Sequence, residues 1–171
     1  MPDNYKILIN DSCILFDLID LNLINDFFCL EYSFFTTDFV IQEIKYENQL
    51  ATIERYISKE ILKIDNSATF ESVELLYYHY NGLSYTDSSV LELALRMKGV
   101  LLSSDKKLRN ISKSKNIEVR GLLWIIYKLA ENKIISGQRA KEALTEYPKV
   151  NVRAPIKEIK KLEQILNNLK F

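Results

Sequence analysis

Residues 82–108 read GLSYTDSSVLELALRMKGVLLSSDKKL, and the fold turns on how this stretch is placed. Apolar residues recur at helical spacing up to Met97, a glycine follows at 99, and the short apolar run Val100–Leu102 leads to Asp105. That is a helix followed by a buried strand. Asp87 stands in the first turn of the helix. A helix that runs back antiparallel to the strand after it begins at that strand's carboxyl edge. The two aspartates, distant along the chain, therefore belong to one edge.

Outward from this unit, the same alternation covers the first 120 residues. KILIN (6–10) reads as a buried strand, and DSCILFDLIDLNLINDFF (11–28) as a helical segment capped by Asp11 or Ser12. YSFFTT (32–37) is a second strand, residues 37–60 are helical in two pieces, and ILKID (61–65) is a third strand. SATFESVELLYYHY (67–80) is a helix that stops at Asn81-Gly82. A short basic helix (105–116) and a last strand, IEVRG (117–121), follow the quoted stretch. From Leu122 the chain reads as helices: 122–133, 136–147, and 155–169 behind Pro155. The expected fold is α/β, with a central, mostly parallel sheet and a C-terminal helical extension. The expected division is a domain over 1–130 and an extension over 131–171, packed on or beside it.

Composition narrows the function. The 171 residues suit one domain, and 47% are hydrophobic. With 23 basic and 23 acidic residues, any nucleic-acid contact must use a local patch. Cys13 and Cys29 are the only cysteines, and His79 is the only histidine, so a Cys/His zinc site is not expected. The start MPDNYKILIND lacks the charge and apolar core of a signal peptide, and no apolar run reaches membrane length. A cytoplasmic protein with reduced thiols and no membrane partner is the expectation.

The acids carry the chemistry. Asp11 ends the first strand, Asp105 ends VLLSS, Asp87 opens the helix between, and Glu43 lies about two turns into the helix after YSFFTT. Singly, each has an ordinary role as a cap or a solvated helix acid, and SYTD (84–87) fits a capping box. Jointly, carboxylates on one sheet edge repel one another and call for a counter-charge. Lys or Arg can supply it, and so can Mg²⁺ or Mn²⁺, which favour carboxylate oxygens. Ser12, Ser103 and Ser104 are placed to donate to the carboxylates or to a substrate.

These residues resemble a PIN domain. The resemblance rests on LINDSCILFDL with Asp11, TTDFVIQEI with Glu43, LSYTDSSVLELALRMKGVLLSSDKKLR with Asp87 and Asp105, and EVRGLLWIIYKL. It implies a three-layer α/β/α fold and a metal-dependent nuclease acting on RNA, as in the toxins of toxin–antitoxin pairs. Asp11, Glu43, Asp87 and Asp105 are then the metal-binding and catalytic acids, with Mg²⁺ or Mn²⁺ as cofactor. The implied reaction is hydrolysis of a phosphodiester by water. RNA, an antitoxin protein and a second copy of the chain are the expected partners. Two departures stand out. Lys107 occupies a position where many members carry a further acid, which implies a weaker second metal site. Asn10 stands where a hydrophobic residue is common.

Six basic residues, Lys106, Lys107, Arg109, Lys113, Lys115 and Arg120, face only Glu118 within 106–120, a local excess of five charges beside Asp105. Lys106, Lys107 and Arg109, with Ser12 and Ser103, are the expected substrate contacts. The run Tyr77-Tyr78-His79-Tyr80 is expected to be core and interface, with base stacking as the other reading. The stripe Ile156, Ile159, Leu162, Ile165, Leu166 and Leu169 either packs on the domain or meets a partner. Other acid-edge folds fit less well. A haloacid-dehalogenase site needs an aspartate where Cys13 stands, a von Willebrand-type site needs DxSxS, and a receiver domain needs an acid pair that Asn10-Asp11 is not. No phosphate-binding glycine loop is present. The alternative function is a PIN-fold nucleic-acid-binding or assembly module with little or no nuclease activity.

Overall fold

The computed structural model describes residues 7–168. Lys6, the rest of the polar start and Leu169 lie outside the described residues. The chain divides into two compact units, one holding residues up to Ile14 and Glu31–Arg120, the other Leu15–Leu30 and the chain from Gly121.

In the first unit five strands form one sheet: β1 (Ile7–Asn10), β2 (Ser33–Thr36), β3 (Leu62–Ile64), β4 (Val100–Leu102) and β5 (Val119–Arg120). Their order is β3-β2-β1-β4-β5, and every pairing is parallel. Parallel neighbours need crossovers, here provided by α1 (Ser12–Asp20) and α2 (Ile24–Phe27) between β1 and β2, α3 (Asp38–Gln42) and α4 (Glu47–Ser58) between β2 and β3, α5 (Phe70–His79) and α6 (Tyr85–Met97) between β3 and β4, and α7 (Lys106–Ser114) between β4 and β5. Successive residues Leu8 and Ile9, and Leu101 and Leu102, are fully buried, so both faces of the central strands are covered. This is the α/β arrangement expected, a parallel sheet flanked by helices.

The order carries one functional consequence. From β1 the chain moves outward through β2 and β3, then returns to place β4 on the other side of β1. The crevice beyond the carboxyl ends of β1 and β4 is thus a topological switch point, where open α/β sheets bind ligands. Asp11 N donates to Leu102 O at 3.1 Å, which brings the residues just past β1 against the end of β4.

The second unit is helical: α1 (Ser12–Asp20) beyond its first turn, α2 (Ile24–Phe27), α8 (Leu122–Glu131), α9 (Gly137–Val150) and α10 (Ile156–Asn168). Within it Asn151 Nδ2 donates to both oxygens of the buried Asp17, each at 3.0 Å. Burial nevertheless pushes Asp17 up to about 6, with the charge of Asp20 adding to it and hydrogen bonds from Asn151 and Tyr147 opposing. In α10, Ile159, Leu162 and Leu166 are buried, whereas Ile156 and Ile165 are half exposed.

Three local expectations change. Residues 11–28 form two helices rather than one, broken where Asn22 takes a left-handed φ of 53°. The helix expected to end at Tyr147 runs through Pro148 to Val150. The left-handed residue that ends α6 is Lys98, at φ 53°, not Gly99. Gly99 serves another purpose: a Cβ there would lie 2.9 Å from Ile7 Cγ2, 3.1 Å from Ile9 Cγ1 and 3.2 Å from Ile7 O. The branched Ile7 methyl and the Ile7 carbonyl would both have to shift, so β4 enters beside β1 without strain only with glycine at this point. Gly99→Ala is expected to cost about 1–3 kcal/mol, as overpacking does, read as a lower urea midpoint with an unchanged m-value.

Candidate active site

Asp11 follows β1 and opens α1. It is 3% exposed, and both its oxygens are engaged. Oδ1 accepts from Ser12 N at 2.8 Å. Oδ2 accepts from Ser103 Oγ at 2.7 Å and from the Cys13 thiol at 3.0 Å. Ser103 is wholly buried just beyond β4, and its hydroxyl oxygen also accepts from Asp105 N at 3.0 Å. One serine therefore ties the ends of β1 and β4 together and sets the backbone of Asp105.

Asp105 is the N-cap of α7 and accepts from Leu108 N through Oδ1 at 2.8 Å. Asp87 closes the capping box of α6: Ser84 N donates to Asp87 Oδ2 at 2.8 Å, and Asp87 N donates to Ser84 Oγ at 2.9 Å. Glu43 stands at the C-cap of the five-residue α3, not two turns inside a longer helix, because the chain leaves helical geometry there. Ser12 Oγ donates to Glu43 Oε2 at 2.7 Å. The hydroxyls of Thr37, the N-cap of α3, and Ser89 of α6 are hydrogen-bonded at 2.8 Å, which fastens the helices that carry Glu43 and Asp87.

Each acid thus arrives by a local rule, and serines link Asp11, Glu43 and Asp105 into one neighbourhood. Their charges interact. Burial pushes Asp11 up to about 6, the charge of Asp87 adds to this, and the bonds from Cys13, Ser103 and Ser12 oppose it. Asp87 is raised by burial first, then by the charges of Asp105 and Glu43, against its bonds to Ser84. Among the described residues no ion pair reaches any of the four. Nor do three or more acid, histidine or cysteine side chains stand close enough, as placed, to hold a metal ion. The donor chemistry still suits a hard cation: all four are carboxylates, their charges go unneutralised, and no described residue bonds Glu43 Oε1 or Asp105 Oδ2.

Of the residues expected to touch substrate, Ser12 and Ser103 spend their protons on Glu43 and Asp11. The Arg109 guanidinium donates to Ser103 O at 2.6 Å and Arg120 O at 2.9 Å, so it fixes the β4–α7 loop. Lys106 and Lys107 are exposed. The Lys107 ammonium lies against Gly82, where a Cβ would stand 2.1 Å from it. Arg120 pairs with Glu118.

Cys13 is the participant that sequence reasoning missed. Its thiol donates to Asp11, and its sulfur accepts from Ser104 N at 3.2 Å. Burial and the charge of Asp11 push the thiol far up, so it remains an S–H donor and is no nucleophile. The only available signal was its position two residues past Asp11, in the same first helical turn.

A search of curated proteins gives no match. A family model described as a PIN domain matches residues 7–168, from β1 to the end of α10, with all four acids inside the match. The chain belongs to the PIN domain family, a nuclease-type fold.

Proposed function

We propose that the protein is a metal-dependent endoribonuclease that hydrolyses RNA phosphodiester bonds at the edge formed by Asp11, Glu43, Asp87 and Asp105. The observation that carries this reading is the serine-linked set Asp11, Glu43 and Asp105, with the charge of Asp87 acting on it, unneutralised at the switch point of a PIN-family sheet. These four residues would hold Mg²⁺ or Mn²⁺. Such an ion, when bound, supplies a lower pKa for water and neutralises charge at a phosphoryl oxygen. The chain's own groups prepare the site. Ser103, Cys13 and Ser12 favour the ionised form of Asp11 against its burial, and Ser12 orients Glu43. Lys106 and Lys107 offer exposed charge to the phosphate backbone.

The proposal includes a cytoplasmic setting, supported by two free cysteines and by the lack, among the described residues, of a helix long and apolar enough to cross a membrane. It also includes a toxin role, with an antitoxin protein and a second copy of the chain as partners. Expression alone should then arrest growth, and a neighbouring small open reading frame should relieve it. The spread of the acids short of a closed cage favours a second reading, a PIN-fold binding or assembly module with little nuclease activity.

Cleavage separates the two. Purified protein is expected to cut single-stranded RNA with Mn²⁺ and not with EDTA, and Asp105→Asn should lower the rate at least a hundredfold. No cleavage of a broad RNA panel, together with no heat of Mn²⁺ binding by calorimetry, would leave only the module.

Stability gives an independent check. A carboxyl raised by folding stabilises the fold below its unfolded pKa, and this contribution fades as pH rises, here from about 4 to about 6. Asp11→Asn mimics the protonated form. At pH 7.5 in EDTA the variant should melt above the wild type, by roughly 2–4 °C for each kcal/mol relieved, and the gap should close near pH 4. Added Mn²⁺ should raise the melting temperature of the wild type and leave that of Asp11→Asn unmoved.

A further inference from the structure

The run Tyr77–Tyr80, expected to be core and interface, is not core. Tyr78 is 71% exposed, Tyr77 38%, and Phe70 at the start of the same helix 68%. These rings are ordered against one another. Tyr85 packs with Tyr77 at 5.0 Å, Phe39 at 5.7 Å and Phe70 at 5.9 Å between centroids, and Tyr77 meets Tyr78 edge-on at 5.3 Å. The cluster shares its elements with the acids: Tyr85 lies in the first turn of α6 with Asp87, and Phe39 lies in α3, which ends at Glu43.

Positive charge continues the surface. Lys115 Nζ lies 5.6 Å from the centre of the Tyr80 ring, and the Lys107 ammonium lies over Gly82, two residues further along the same turn. The helix that carries the exposed rings thus ends among lysines, at Tyr80 and at Gly82 in the turn after it, all within the first unit. A ligand that matches both must show flat π faces and a line of negative charges. A double helix hides its base faces in the stack, whereas a single strand offers both.

We propose that Phe70, Tyr77 and Tyr78, braced by Tyr85, form a base-stacking platform for single-stranded RNA, with Lys107 and Lys115 on its phosphates. The platform leads the strand to the acid edge, and in that respect the proposal rests on the nuclease reading.

The test compares two probes in EDTA by fluorescence anisotropy, with the full chain: a short oligoadenylate and an abasic ribose-phosphate strand of equal length. Wild type should prefer the oligoadenylate by roughly tenfold or more, the range that stacking of one or two bases gives. Phe70→Ala with Tyr78→Ala should remove most of that preference without weakening the abasic strand, and Tyr78→Trp should keep it. Lys107→Ala with Lys115→Ala should weaken both probes alike. Both rings are so exposed that their loss should leave the melting temperature unchanged. Equal binding of the two probes by wild type, or an unaltered preference in the double alanine variant, would overturn the platform and leave this face to a protein partner. Because binding is read without cleavage, the two proposals fail separately. A stacking preference without any Mn²⁺-dependent cutting sinks the nuclease alone. Cutting with an unchanged KM in the double variant sinks the platform alone.

Discussion

Asp11 is a carboxylate buried to 3% exposure beside other carboxylates, and three donors must converge on it to keep it charged at neutral pH. Two of them, Ser12 N and the Cys13 thiol, come with the first turn of α1. The third, Ser103, comes from the end of β4, some ninety residues away. That bond exists only if β1 and β4 run parallel as neighbours, in the register that pairs Asn10 with Leu102. The register in turn needs Gly99, since a side chain there would press on Ile7 and Ile9. The sheet order, the crossover and the glycine all serve one hydroxyl's reach.

The balance at Asp11 is incomplete by design of the site. Its neighbours relieve part of the burial cost and leave it raised to about 6. A structural role would be better filled by an arginine beside it. Arg109, four residues past Asp105, donates to the carbonyls of Ser103 and Arg120. Local strain left uncompensated at one place in an otherwise consistent fold is what a functional site looks like.

Much of this was legible in the sequence, and the limits have physical causes. Strand and helix types follow from periodicity, so Asp11, Asp87 and Asp105 could be assigned to one edge from pattern alone. Periodicity does not say where a helix gives out: α3 stops after five residues, so Glu43 is a cap, and Asn22 breaks a segment whose apolar spacing runs on unbroken. Gly99 invited reading as a helix terminator, yet Lys98 takes the left-handed turn and the glycine is needed for close packing. Cys13 was invisible because its role is a bond to a neighbour's carboxylate, not a motif. Tyr77 and Tyr78 misled because tyrosine suits core and surface alike, and spacing on a helix does not say which face meets water.

What permits such crowding before any cation arrives is visible in GLSYTDSSVLELALRMKGVLLSSDKKL itself. Asp105 is the N-cap of α7, Asp87 closes the capping box of α6, and Asp11 stands at the head of α1, the local roles that the plainest reading gives them. Three helix N-termini therefore open onto one edge. Each carries a partial positive charge, worth about 0.3–1 kcal/mol to a nearby anion. A cap uses one carboxylate oxygen and leaves the other to face outward, as at Asp105, where Oδ1 holds Leu108 N. Capping and ligation are then not rival roles. The helix termini ease the crowding of the acids without an ion pair to neutralise them, and it is that remaining charge on which the proposed divalent ion would act.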